Sequence, residues 1–93
     1  MESDALDEYV AELVNCYHNF DTARFTYYDE QAFPDSRRRG KELMEVYHPY
    51  IKRMFNGITR EELKKGLERD VYEKCRDAVL QEYDMFLKSN GDT

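Results

Sequence analysis

Two residues of the sequence have the spacing of metal ligands on a helix. Glu45 and His48 form a Glu-x-x-His pattern, which places both side chains one helical turn apart, as in helical di-iron proteins. Such a site needs a further carboxylate, and Glu82 is the candidate because the helical period puts it within an apolar arc. A salt bridge or a tyrosine contact would also account for Glu82, and Glu45 falls on the polar side of its helix. Metal binding by Glu45, His48 and Glu82 is therefore the alternative function.

The densest basic cluster in the sequence consists of Arg37, Arg38, Arg39 and Lys41. A nucleic-acid site needs a basic face free of acids, whereas Glu42 and Glu45 follow this cluster directly. The arginines also open a predicted helix, where cations oppose the helix dipole. We therefore interpret the cluster as internal ion pairs with the acidic N-terminal third, or as a patch for a carboxylate or phosphate on a partner. The sequence argues against a nucleic-acid partner.

Acidic residues are concentrated in the N-terminal third. Residues 1–36 hold nine Asp or Glu and one Arg, a net charge of −8, whereas the whole chain carries −6. The cluster around Arg37 offers too few cations to neutralise this surplus, which would steer a basic partner. The predicted partner-binding residues are Asp7, Glu8, Tyr27, Tyr28, Asp29 and Glu30. The two tyrosines are chosen as anchors because aromatic side chains carry much of the energy of interfaces.

The sequence thus predicts a non-enzymatic protein-interaction module, of an inhibitor, immunity or regulatory type, that presents an acidic helical face to a basic partner protein. A solvated acidic face without a partner is the alternative for this surface, and a homodimer stays open. No Gly-rich phosphate loop, nucleophile elbow, or Ser-His-Asp set is visible, so no catalytic residue is predicted. Cys16 and Cys75 match no zinc-ligand spacing and read as reduced core thiols, so no cofactor is predicted.

Length and composition limit the class of protein. With 93 residues, 41% of them hydrophobic, the chain suffices for one folded domain. We expect residues 1–88 to form this domain and residues 89–93 to fray. No apolar run approaches the roughly 20 residues of a membrane span, and the acidic start is unlike the basic start of a signal peptide. A cytoplasmic protein without a membrane partner is predicted.

The helix with the clearest signals begins at Thr59. Thr59 and Glu62 have the spacing of a capping box, and Ile58 and Leu63 have that of a hydrophobic staple. Apolar residues then recur at the helical period as far as Leu87, which predicts one helix over 59–88.

Three further helices are predicted, over 4–20, 22–33 and 36–55, with one continuous helix to Phe33 as the alternative for the first two. The third keeps its apolar phase across Pro49, so a kink or break is expected at Tyr47–Pro49. Gly40 lies on its apolar side, where another helix could approach closely. The predicted fold is all-α, a small antiparallel bundle of about four helices. The predicted core consists of Leu13, Val14, Tyr17, Leu43, Tyr47, Ile51, Leu67, Val71, Cys75, Val79 and Phe86.

Overall fold

Four α-helices account for most of residues 3–69 and 72–91, which are the residues that the computed structural model describes. They are α1 (Ser3–Tyr28), α2 (Pro34–Asn56), α3 (Arg60–Leu67) and α4 (Glu73–Gly91). These described residues contain no β-strand, and the predicted all-α bundle is confirmed.

Helix α1 runs without interruption through the predicted joint at residues 20–22, so the prediction of two helices there is wrong. Asp21 and Thr22 have side chains that suit a helix cap, but both are exposed and are accommodated inside a helix. The Thr26 hydroxyl donates a hydrogen bond to the Thr22 carbonyl at 3.1 Å, which keeps this polar side chain within the helical turn. The helix ends at Tyr28, five residues earlier than Phe33.

Helix α2 passes through Pro49, so of the kink or break predicted at Tyr47–Pro49 the break does not occur. Pro49 and Glu45 are both exposed, so the helical hydrogen bond that Pro49 cannot donate is missing on the side of α2 that water reaches. At the other end Pro34 begins the helix, because its fixed φ suits the first turn. Phe33 before it adopts extended angles, φ −61° and ψ 146°, as a residue preceding proline does.

The helix predicted over 59–88 is divided into α3 and α4, so that prediction is wrong in its middle. The guanidinium of Arg76 in α4 turns back and donates from Nε to the Leu67 carbonyl at 3.0 Å, which satisfies a carbonyl at the end of α3. Arg69, just after α3, forms an ion pair with Asp7 of α1. Helix α4 continues through Gly91, into the segment predicted to fray.

Helices α1 and α2 pack closely and antiparallel. Near one end of α1 the Tyr9 hydroxyl donates to the Met54 carbonyl at 2.6 Å, and further along the Asn19 amide donates to the Tyr47 hydroxyl at 3.4 Å. A Cβ atom added at Gly40 would lie 2.7 Å from the Ala23 carbonyl oxygen. The close approach predicted at Gly40 is therefore confirmed.

One hydrophobic core joins the four described helices, and most of the predicted core belongs to it. Six predicted members are buried: Leu13, Val14, Tyr17, Ile51, Leu67 and Val79. Four others are half-buried: Leu43, Tyr47, Cys75 and Phe86. Val71 lies outside the described residues. None of the described helices combines the length and the apolar character needed to cross a membrane.

Two tyrosines from distant parts of the chain bind the turn between α2 and α3. Tyr9 of α1 donates to the Met54 carbonyl at 2.6 Å, and Tyr83 of α4 donates to the Ile58 carbonyl at 2.8 Å. Burial raises the pKa of both phenols, with Tyr50 adding to the effect at Tyr9 and Asp84 at Tyr83. Buried tyrosine hydroxyls need hydrogen-bond partners, and here the two hydroxyls find them in carbonyls at this turn.

The predicted capping box at the start of α3 is present in full. The Thr59 hydroxyl accepts from the Glu62 N–H at 3.2 Å, while the Glu62 carboxylate accepts from the Thr59 N–H at 3.1 Å. The Thr59 backbone N–H, followed by its hydroxyl, holds the pKa of Glu62 below its ordinary value of 4.5. This carboxylate therefore stabilises the fold above pH 4.5 and loses that contribution as the pH falls through its lowered pKa.

Replacement of Thr59 by alanine should lower the free energy of unfolding by about 1 kcal/mol at neutral pH, because the cap loses its hydroxyl. Urea denaturation followed by circular dichroism measures the change. Thr59→Ser keeps the hydroxyl and should cost only a few tenths of a kcal/mol. Equal losses in the two variants would show that the hydroxyl does not cap α3.

Candidate functional site

The C-terminal end of α1 and the turn that follows it carry a groove of about 690 Å³ with exposed aromatic and acidic walls. We call it the acidic-aromatic groove, and the residues that line it are Asp21, Arg24, Phe25, Tyr28, Asp29, Glu30 and Gln31. Because α1 is continuous, Asp21, Phe25 and Tyr28 are spaced four and three residues apart and share one helix face.

Local hydrogen bonds fix the turn that forms one side of the groove. The Asp29 carboxylate accepts the Gln31 N–H at 2.9 Å, which is an Asx-turn. The Asp29 carbonyl accepts the Ala32 N–H at 3.1 Å and closes the turn. Pro34 then begins α2, so the chain reverses direction within a few residues.

Arg37 secures the end of α1 from the other side of the turn. Its Nε donates to the Tyr27 carbonyl at 3.1 Å, which is one of the last carbonyls of α1 and lacks a partner within that helix. A cation at this position also suits the negative end of the α1 dipole. Arg37 therefore has a structural role.

The four residues of the predicted basic patch therefore differ in their surroundings. Arg37 is half-buried against α1, whereas Arg38, Arg39 and Lys41 are exposed. Arg38 forms an exposed ion pair with Asp35 at 2.7 Å, three residues away on the same helix. The pairing with the acidic N-terminal third is thus limited to one local bridge and one backbone contact among the described residues.

Three large aromatic side chains at or beside the groove are mostly exposed to solvent. Phe25 is 76% exposed and Tyr28 67%, and Phe33 in the adjoining turn is 80% exposed. Tyr27 is half-buried, and its ring meets that of Tyr28 edge-on at a centroid distance of 4.9 Å. Of the two predicted anchors, Tyr28 is thus the one available to a partner, supported from behind by Tyr27.

The carboxylates of the groove differ in how far they are neutralised. Asp21 binds Arg24 at 2.5 Å, and the same guanidinium reaches Glu82 of α4 at 3.3 Å. Asp29 and Glu30, by contrast, form no ion pair with any cation of the described residues. The groove therefore has a negative side formed by Asp29 and Glu30 and a nearly neutral side at Asp21.

The six predicted partner-binding residues lie in two places. Tyr27, Tyr28, Asp29 and Glu30 are together at the C-terminal end of α1. Asp7 and Glu8 lie about 30 Å away, given a rise of 1.5 Å per residue along the helix. Asp7 is moreover engaged by Arg69. The predicted partner-binding residues are therefore divided between the two ends of α1.

The predicted metal ligands are not brought together. Among the described residues no group of three or more His, Cys, Asp or Glu side chains is placed to hold a metal ion. Glu82 is occupied by Arg24 at 3.3 Å, which is the salt bridge that the sequence offered as an alternative. His48 stacks on Phe20 with a centroid distance of 5.7 Å, and Glu45 lies on the exposed side of α2.

Two residues of this surface were missed by sequence reasoning. They are Phe25 and Phe33, which are 76% and 80% exposed and are not among the partner-binding residues predicted from the sequence. The spacing of Asp21, Phe25 and Tyr28 on one face was the available signal, but it appears only if α1 is read as continuous.

Comparison with protein-family models, curated proteins and solved structures finds no match to this chain.

Proposed function

We propose that this protein is a non-enzymatic interaction module, an inhibitor, immunity-type or regulatory protein, that binds a basic surface of another protein through the acidic-aromatic groove. The observation that carries the proposal is the exposure of Phe25 and Tyr28 directly beside the unpaired carboxylates of Asp29 and Glu30. Apolar anchors next to charges of one sign form a surface that both attracts and holds a partner of opposite charge.

The aromatic side chains would supply most of the binding energy. Phe25 and Tyr28 present rings that remain largely in water in the free protein, so a partner that covers them gains their burial. Tyr28 is held edge-on against Tyr27 at 4.9 Å, so less side-chain freedom is lost on binding than for an isolated ring.

The carboxylates would orient the approaching partner and raise its association rate. The Asp29 carboxylate accepts the Gln31 N–H at 2.9 Å, which holds its negative charge at a defined position. With a net charge of −6, the molecule attracts a cationic partner at a distance, and the groove concentrates that field beside the anchors. A lysine- or arginine-bearing protein surface fits this arrangement better than a nucleic acid, whose phosphates the carboxylates would repel.

Charge reversal at Asp29 and Glu30, both to lysine, should slow association with the partner by about tenfold at low salt and remove most of its salt dependence. The partner is first isolated by affinity capture from native lysate and identified by mass spectrometry. Surface plasmon resonance at two salt concentrations then gives the association and dissociation rates. Tyr28→Ala should act mainly on the dissociation rate, because it removes an anchor and no charge.

The matched control is the double variant Glu8→Lys, Glu12→Lys, which makes the same change in net charge on exposed residues at the other end of α1. At low salt it should slow association by much less than about tenfold, because its charges lie about 30 Å from the groove. At physiological salt it should leave the association rate within about twofold of the wild type, because screening limits charge effects to roughly 8 Å. If both double variants slow association equally, the effect belongs to net charge and the groove is not the binding site.

A further inference from the structure

A second concave site lies between α1, α2 and α4, and Arg24 lines both this site and the acidic-aromatic groove. It is a cavity of about 300 Å³, which is at the lower end of the range for small-molecule sites. Aromatic rings from three helices line it: Phe20 of α1, Phe55 of α2 and Phe86 of α4. We call it the inter-helix cavity.

The deep part of the inter-helix cavity is apolar and well fixed. Phe55 and Ile51 of α2 are buried, and Phe55 meets Phe86 at a centroid distance of 5.5 Å. Tyr17 closes the α1 side, and burial, followed by the charges of Glu82 and Asp21, raises the pKa of its phenol. The wall therefore stays uncharged at neutral pH and suits an apolar ring.

The rim of the cavity carries the charged and polar side chains of the lining. Arg24, His48 and Lys52 line it together with one carboxylate, that of Glu82. Arg24 is shared between Glu82 at 3.3 Å and Asp21 at 2.5 Å, so Lys52 is the cation of the rim that forms no ion pair with the described residues. His48 and Lys52 are four residues apart on α2, so they lie side by side at the opening.

The opening also has an adaptable side. Met85 of α4 lines the cavity and is 56% exposed, which is high for a methionine beside an apolar cavity. A thioether side chain has three rotatable bonds and packs well against aromatic rings. Met85 can therefore cover a ring inserted between α1 and α4, with Ser89 at the edge of the same opening.

We propose that the inter-helix cavity binds a small planar aromatic molecule that carries one anionic group. The ring packs against Phe86 and Met85, and the anion lies at Lys52 and His48. A carboxylate or a sulfonate would meet the same donors, so the charge and the flat ring define the ligand class. In such a site the apolar walls supply most of the affinity, and the polar groups at the rim, here Lys52 and His48, fix the orientation of the ligand.

Two fluorescent probes that differ in charge test the proposal. 1-Anilinonaphthalene-8-sulfonate has the ring system and one anion, and N-phenyl-1-naphthylamine has the same rings without the anion. Both should bind with one-to-one stoichiometry, the sulfonate more tightly. Lys52→Gln should weaken binding of the sulfonate about tenfold, because a charge-assisted contact is lost, and change binding of the neutral probe less than twofold.

Two further variants locate the site. Lys64→Gln makes the same charge change on an exposed residue of α3 that does not line the cavity, and it should leave both probes unaffected. Ser89→Phe adds a ring at the opening and should weaken both probes. Circular dichroism confirms the fold of each variant. The proposal is overturned if Lys52→Gln and Lys64→Gln act equally, if Lys52→Gln weakens both probes alike, or if Ser89→Phe binds both as the wild type does.

Discussion

Replacement of Leu13 by alanine should lower the free energy of unfolding by about 3 kcal/mol, which is the largest single loss that we expect for this protein. Leu13 is fully buried in the middle of α1 and belongs to the core cluster to which all four described helices contribute. The variant loses the burial of its removed carbons and leaves a cavity that rigid neighbours cannot close. A domain of 93 residues has about 5–14 kcal/mol of stability in total, so the loss is a large fraction.

Urea denaturation monitored by circular dichroism at 222 nm gives the change directly. Leu87→Ala is the matched control, since it removes the same atoms from a side chain of α4 that is 43% exposed. It should cost less than about 1 kcal/mol. Similar losses at the two positions would contradict the placement of Leu13 in the core.

Replacement of Gly40 by valine should destabilise the fold by about 3 kcal/mol, because it forces α1 and α2 apart. The new Cβ would lie 2.7 Å from the Ala23 carbonyl oxygen and 3.2 Å from the Tyr27 nitrogen. Both of these are backbone atoms, so neither can move aside by a change of rotamer. Helix propensity works in the opposite direction, since valine is favoured over glycine by a few tenths of a kcal/mol.

Glu45→Val, on the exposed side of the same helix, separates the two effects. It places the same side chain in α2 without a neighbouring helix and should change the free energy of unfolding by less than about 1 kcal/mol. Thermal and urea unfolding of both variants provide the comparison. A loss below about 1 kcal/mol at Gly40 would mean that the two helices do not approach as closely as described.

Local signals in the sequence were reliable where one short motif determines the structure. The capping box of Thr59 and Glu62 identified the start of α3. The helical period identified most of the core, because burial requires apolar side chains on one face. Gly40 on such a face correctly indicated a close approach of helices.

The same period concealed the division between α3 and α4. Leu63, Leu67, Cys75 and Val79 keep one phase, although the chain leaves the helix after Leu67. One interaction beside this break, the ion pair of Arg69 with Asp7, joins residues far apart in the sequence, so no local pattern reports it. Conversely, Asp21 and Thr22 suggested a break in α1 that does not form, because exposed polar residues fit a helix interior when the helix is held by its apolar face.

The acidic and aromatic character of the candidate site follows from the sequence, whereas the position of its residues follows only in part. An excess of acid in residues 1–36 follows from the sequence alone, but the grouping of its members depends on α1 being one helix. That single helix places Asp7 and Glu8 far from Tyr28, and turns Phe25 outward beside Asp29. The inter-helix cavity could not be predicted at all, since its lining comes from three helices whose relative placement no pattern in the sequence specifies.

The two tyrosines that bind the turn between α2 and α3 also bear on the order of folding. The Tyr9 contact closes a loop of 45 residues, and the Tyr83 contact closes one of 25. The entropy of loop closure grows only with the logarithm of length, so the longer loop costs about 0.5 kcal/mol more than the shorter one. Such a difference is too small to make one contact a prerequisite for the other. Both ends of the chain should therefore reach this turn in the same cooperative transition, and the turn should open only when the whole domain unfolds.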